Sequence, residues 1–340
     1  MKRILIAFAC GLPFITLNAQ TTPYMQKSFP RDAVHQLQAE TSGGNISVKG
    51  EASGEARIEV FIKSNNGRDI SKEEIQQRLN EQFDLTVGLE GGTLKAIAKH
   101  KVHDINWNRT LSISFVIYTP SAVGTSLKTS GGNIDLANLS GTEDFKTSGG
   151  NLHIDHLSGR ITGRTSGGNV SIVNSKDNID LQTSGGNMSA KACEGTIRLQ
   201  TSGGNLDLAN IKGDIKATTS GGHVGGSNVT GELQARTSGG NIDFDNMNGS
   251  LAASTSGGNI HVTINPSKFV DLSNSGGNIT LELPKDKGMD LNISGDQVHS
   301  TAMSNFKGDV DKHRISGSLN GGGVPVKVDG NGGSVNLSFR

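Results

Sequence analysis

Aspartates recur in two columns of an internal repeat. Asp135, Asp207 and Asp243 occupy equivalent places in one column, and Asp155 and Asp245 share another. Two carboxylates flanking a groove are what polysaccharide hydrolysis needs, one as acid and one as base or nucleophile. Ser171, Ser189 and Gly225 interrupt the first column, and Val173 and Ala209 the second, so no charged pair is repeated in successive units. The pattern reads as a solvated face, and no catalytic residue is assigned. His153 and His156 flank Asp155, and His100 and His103 flank a strand end. Zinc needs three or four ligands in fixed geometry, so these loose pairs predict no metal site. Calcium-binding repeats place an Asp regularly after their glycines. Here the glycines lead to Asn and then to an apolar residue, so calcium is not expected as a repeat ligand. No cofactor is expected either.

The other recurrent polar group is Thr-Ser-Gly-Gly-Asn. It begins at Thr129, Thr147, Thr165, Thr183, Thr201, Thr237 and Thr255, with a His-ending copy at Thr219. A grid of outward threonines would suggest ice binding. The strand before each Thr runs Ile161, Gly163, Thr165 or Ile179, Leu181, Thr183, so alternation turns this Thr inward. The outward neighbours vary: Lys146, Arg164, Gln182, Gln200, Thr218, Arg236 and Ser254. The most irregular surface precedes the repeats, where His103, Trp107, Arg109 and Tyr118 form a candidate contact for a partner. Trp107 is the only Trp of the chain, and a Trp in a turn suits a protein or glycan contact.

These groups are positioned by a strict repeat. After each Asn come apolar columns, Ile134, Leu152, Val170, Met188 and Leu206 in one, Leu136, Ile154, Ile172, Ala190 and Leu208 in the next. A second strand follows with Ile161, Ile179, Ile197 and Ile215, where Glu143 is the exception. Spacing of two within each strand is the period of β structure. One unit cannot bury its inner face alone, whereas stacked units close a narrow core. The expected fold is all-β: a parallel β-solenoid, or flattened β-helix, with 18-residue rungs. Gly131, Gly132, Asn133, Gly149, Gly150 and Asn151 are then turn residues. The glycines are expected to supply positive φ, and the Asn to tolerate left-handed geometry and stack its amide on the next rung. A second Asn column, Asn138, Asn174, Asn210, Asn228 and Asn246, suits the same role at the other turn. Cys193 falls in an apolar column and reads as buried filler.

Outside the array, Ala56 to Lys63 alternates as a strand, and Ser71-Lys72-Glu73-Glu74 resembles a capping box opening a short helix to about Gln82. Strands are expected near Phe83–Leu89, Thr93–Lys99 and Leu111–Tyr118. Solenoid ends expose unpaired edges, and Ile75, Leu79 and Phe83 of the inserted helix are placed to cover the first. Asn320-Gly321-Gly322-Gly323 and Asn331-Gly332-Gly333-Ser334 mark degenerate last rungs. The domain plan is a signal peptide at 1–19, an N-terminal segment with insertion and cap at 20–128, the regular array at 129–272 and degenerate rungs at 273–340. Lys2 and Arg3, the apolar run to Leu17 and the small residue Ala19 carry the signal reading. Lys and Arg together number 32, as do Asp and Glu, so no basic excess points to nucleic acid. No later apolar run is long enough to span a bilayer.

The Ser42-Gly43-Gly44-Asn45-Ile46-Ser47-Val48 stretch, the strand Ser112 to Pro120, the SGGN units and the closing Gly321-Gly322-Gly323 and Gly332-Gly333-Ser334-Val335 together resemble the bacterial "putative adhesin" β-solenoid family, an envelope domain of unknown function. The resemblance covers nearly all of the chain after the leader. It implies an exported β-solenoid and supplies no catalytic residues. The leading expectation is a non-enzymatic, monomeric adhesin or binding protein for an unknown protein or glycan, in the periplasm, on the outer surface or extracellular. The alternatives are a periplasmic structural or envelope-sensing protein without external ligand and, third, a polysaccharide-acting β-helix enzyme.

Overall fold

This computed structural model describes residues 22–101 and 109–340; the leader expected at 1–19 lies outside them. The fold is all-β, 64% strand with a single α-helix among the described residues, in a long, nearly closed, mostly parallel sheet. Leu152–Asp155 lies parallel between Ile134–Ala137 and Val170–Val173, with Leu152 level with Ile134 and Val170. Ser158–Arg164 lies in the same way between Ser140–Lys146 and Lys176–Gln182. Each unit therefore adds one strand to each of two rows. Alternation decides which side chains face inward. Leu152, Ile154, Ile161 and Thr165 are buried while His153 and Arg164 are exposed. Strands stacked at about 4.8 Å close each inward column on the one before, giving one buried cluster from Val34 to Leu337.

The bend between the two strands of a unit needs left-handed backbone. Asn138, Asn174, Asn210, Asn228 and Asn246 supply it with φ between 51° and 57°, as the second Asn column predicts. His156 and Ala192 take the same conformation at φ 54° and 53°. From Leu206 onward the bend is spanned by continuous strand, as in Leu206–Thr218 and Val224–Arg236.

The early copy at Thr41 is adjacent in space to the array. Ile46–Glu51 pairs with Ile134–Ala137, and Gln36–Glu40 with Gly124–Lys128. The intervening chain builds the N-terminal end. One row finishes on Met25–Phe29, antiparallel to Ala56–Ser64, and the other on Phe83–Glu90, antiparallel to Thr93–His100. The helix Lys72–Gln82 starts at Ser71, whose side chain accepts from the Glu74 N–H at 3.2 Å. Ile75, Leu79 and Phe83 are buried. The helix touches Phe83–Glu90 of one row and Leu111–Pro120 of the other, and its buried side chains join the N-terminal part of the core.

At the other end the register slips against Ile260–Asn274, and Thr255 stands opposite Asn274. Asn331–Ser334 does close a last turn of the array type, because the Ser334 N–H reaches Asn278 Oδ1 at 3.0 Å. Asn320–Gly323 differs from the degenerate rung expected there. Asn320, Gly321 and Gly322 have φ of 49°, 86° and 83°. They reverse the chain between Arg314–Leu319, which runs antiparallel to Met289–Ser300, and Val324–Phe339, which runs parallel to it. A reversal needs a tighter turn than the open corner of the array.

Candidate functional site

The Thr-Ser-Gly-Gly-Asn corner is built by hydrogen bonds between units. Thr147 Oγ1 donates to the Gly132 carbonyl at 2.8 Å and accepts from the Gly150 N–H at 3.2 Å. The same pair of bonds recurs at Thr165, Thr183, Thr201, Thr219, Thr237 and Thr255. The Thr is inward, so the corner presents no threonine grid to solvent. Where the repeat writes Asn274 instead, the amide repeats both roles: Nδ2 donates to the Gly258 carbonyl at 2.7 Å, and Oδ1 accepts from Gly276 and Gly277.

The glycines act through contact, not through φ. None of Gly131, Gly132, Gly149 and Gly150 has positive φ. A Cβ on Gly150 would lie 1.9 Å from the Gly132 carbonyl oxygen, and one on Gly132 would lie 1.9 Å from that of Gly44. A Cβ on Gly149 would meet nothing nearer than 3.7 Å. The second glycine of each pair is thus required for two backbones to touch, and the first is not. The following Asn is also not left-handed. Its amide bonds to backbone and does not stack on the next amide: the Asn151 N–H donates to Asn133 Oδ1 at 2.8 Å, and Asn169 repeats this on Asn151. At His223 the ladder loses its side-chain oxygen. His223 Nδ1 turns instead toward Asp243 Oδ2 at 3.3 Å, beside Gly225, where a Cβ would meet the ring.

Of the sequence-predicted contact residues, His103 and Trp107 lie outside the described residues. Arg109 and Tyr118 are not brought together. They stand at opposite ends of Leu111–Pro120, roughly 25–30 Å apart at 3.3 Å per residue. The Arg109 carbonyl accepts from Arg78 and Gln82 of the helix at 3.1 and 3.4 Å. The Tyr118 ring is covered by the Arg57 guanidinium, 3.5 Å from its centroid.

The aspartate columns lie on the outer side of the first row. Asp135 stands beside His153, and Asp243 beside His261. Burial raises the Asp135 pKa, and the nearby His153 opposes this. Asp135 and Asp207 are four units apart, about 19 Å at the strand spacing. Among the described residues, no group of three or more His, Cys, Asp and Glu side chains is placed to hold a metal. Cys193 is buried, with Sγ 3.4 Å from the Lys191 carbonyl, and burial raises its pKa. Among the described residues no helix is long and apolar enough to cross a membrane.

Two features go beyond the sequence reading, which has Lys146 and Arg164 only as varied outward neighbours and Glu143 only as the exception in an apolar column. A trough of about 470 Å³ runs along the corner, lined by Lys128, Lys146 and Arg164 on one side and by Ser130, Ser148 and Ser166 on the other. Its signal was available: the residue before the Thr is a cation in three successive units. The second is Glu143, fully buried, with its pKa pushed up to about 7 by desolvation and partly held down by the Thr125 hydroxyl.

Residues 173–338 match the family described as Toastrack DUF4097. No curated protein matches the chain. Two solved structures align with it over most of both chains. A crystal structure described as a putative adhesin from Bacteroides fragilis NCTC 9343 is 14% identical, with 93% of this chain and 96% of that chain covered and a TM-score of 0.30. One described as a putative cell adhesion protein from Clostridium sporogenes ATCC 15579 is 11% identical, with 93% and 98% covered and a TM-score of 0.20.

Proposed function

We propose that this chain is an exported, non-enzymatic β-solenoid with 18-residue rungs that serves the cell envelope as a stiff adhesin or binding protein. The observation that carries this reading is the unbroken corner ladder. Thr147, Thr165, Thr183, Thr201, Thr219, Thr237 and Thr255 each tie one unit to its neighbour by the same buried bond. Repetition of one bond from end to end favours a rod whose long outer faces are free for contact. The interruption of both aspartate columns, with no charged pair repeated in successive units, supports a binding role over hydrolysis, which needs a pair of carboxyl groups across a sugar. The Lys2-to-Ala19 leader pattern supports export.

Protease shaving of intact cells expressing the chain, with lysed cells as control, tests this. Cleavage on intact cells is expected. Protection on intact cells, with cleavage only after lysis, would exclude surface adhesion and leave a periplasmic structural or sensing protein.

A further inference from the structure

We propose that the trough along the Thr-Ser-Gly-Gly-Asn corner binds a linear, carboxylate-bearing polysaccharide laid parallel to the axis along which the units stack. This deepens the binding-protein reading above and rests on it.

The trough has two walls in register. On one, Lys128, Lys146, Arg164, Gln182 and Gln200 stand level with one another in successive parallel strands. On the other, Ser130, Ser148, Ser166, Ser184 and Ser202 are joined by backbone bonds of 3.1–3.2 Å, each Ser N–H to the Ser carbonyl before it. All five serines are exposed. The floor is the buried Thr ladder, so both walls are held by the most repeated bonds of the fold. Functional groups therefore recur at one strand spacing, about 4.8 Å. An extended chain of pyranose rings advances by close to that distance per sugar, so one ring can meet one unit after another without losing register.

The charges select the sign of the ligand. Lys146 and Arg164 make no ion pair with any described residue, and Asp144 and Asp180 lie one column away, outside the lining. Lys128 shares Glu40 with Lys99, each at 3.3 Å. Glu40 thus bounds the cationic stretch at its N-terminal end. Beyond Arg164 the wall turns to amides, with Gln182 bonded to Asp180 at 3.2 Å and Gln200 to Arg198 at 3.1 Å. Three cations facing a row of hydroxyls suit a polymer that carries both carboxylates and hydroxyls. The lining includes no aromatic ring, so it lacks the stacking platform on which single-stranded nucleic acid rests. The corner N–H groups of Ser148, Gly149, Ser166 and Gly167 are already bonded to the neighbouring unit. An acidic peptide would find no strand edge to extend there.

The test is equilibrium binding of the full chain to polygalacturonate, its methyl-esterified form and polyglutamate. Polygalacturonate is expected to bind and to weaken with added salt, whereas the esterified polymer and polyglutamate bind far less. The double change Lys146→Gln and Arg164→Gln is expected to weaken binding about tenfold, the sum of two exposed charge contacts. The control Lys191→Gln with Lys212→Gln, exposed side chains near the other bend and outside the lining, should bind as the parent does. Both variants change exposed side chains, and unchanged melting shows that each is folded. No binding of polygalacturonate, equal binding by the trough variant, or equal binding of polyglutamate would each overturn the proposal. None of these touches the surface-exposure result, so failure of the trough and failure of the envelope reading are separable.

Discussion

The hydroxyl of Thr183 donates to the Gly168 carbonyl at 2.8 Å and accepts from the Gly186 N–H at 3.3 Å. One side chain thereby satisfies a buried acceptor in the unit before it and a buried donor in its own. Thr183→Val keeps the shape and leaves both backbone groups unpaired, which costs about 1–3 kcal/mol. Thr183→Ser keeps both bonds and loses one methyl, about 0.8 kcal/mol. Chemical denaturation of the two variants should rank Val well below Ser. Equal midpoints would show that the methyl, not the hydroxyl, holds the corner.

The two glycines of a corner should respond in opposite ways. Gly150→Ala drives a Cβ to 1.9 Å from the Gly132 carbonyl oxygen, which is backbone and has no room to yield. The two units must part, at a cost of about 3 kcal/mol or more. Gly149→Ala meets its nearest atom at an ordinary 3.7 Å and should change stability by about 0.5 kcal/mol or less. Thermal melts of the pair decide this, and a Gly149→Ala variant as damaged as Gly150→Ala would defeat the contact argument.

Much of this was legible in the sequence because the inward columns repeat at a spacing that only stacked strands satisfy. The parity of Ile179, Leu181 and Thr183 placed the Thr inside, where it is found. The capping pattern at Ser71 likewise placed the helix. The reason for the glycines was not legible. A glycine tolerated for φ and a glycine required by a neighbouring backbone look the same in one dimension, and only the folded chain brings Gly132 against Gly150. The same holds for the trough. Lys146 and Arg164 read as two members of a varied outward column until the corner sets them opposite Ser148 and Ser166. Tyr118 and Arg109 stand apart because strand geometry carries residues in one short stretch to opposite ends of it.

Ala192 occupies a bend that its neighbours fill with Asn. Its φ is 53°, against 51° at Asn174 and 55° at Asn210. Left-handed backbone costs an ordinary residue about 1–2 kcal/mol, and Asn less. Asn also brings an amide: Asn246 Nδ2 donates to Asn228 Oδ1 at 2.6 Å, and Asn228 to Asn210 at 3.0 Å. Ala192→Asn would extend that ladder by one unit and should stabilise the fold by about 1 kcal/mol. A denaturation midpoint at or below the parent's would contradict this.

Glu143 makes stability depend on pH in the direction opposite to most carboxylates. It sits in the inward column between Thr125 and Ile161 and is fully buried. Its Oε2 accepts from the Thr125 hydroxyl, while Oε1 has no partner. Burial lifts its pKa from 4.5 to about 7. Between those values the folded chain holds a proton that the unfolded chain has released, so stability falls as pH rises. It is highest below about pH 4.5 for this group, and by pH 8 the loss amounts to about 3 kcal/mol. Glu143→Gln cannot ionise and should remove that slope, so the variant gains on the parent as pH rises from 5 to 8. Unfolding free energies of both proteins across that range, compared at each pH, isolate this group from all others. Parallel curves would mean that Glu143 is ionised in the folded core, stabilised by something other than Thr125.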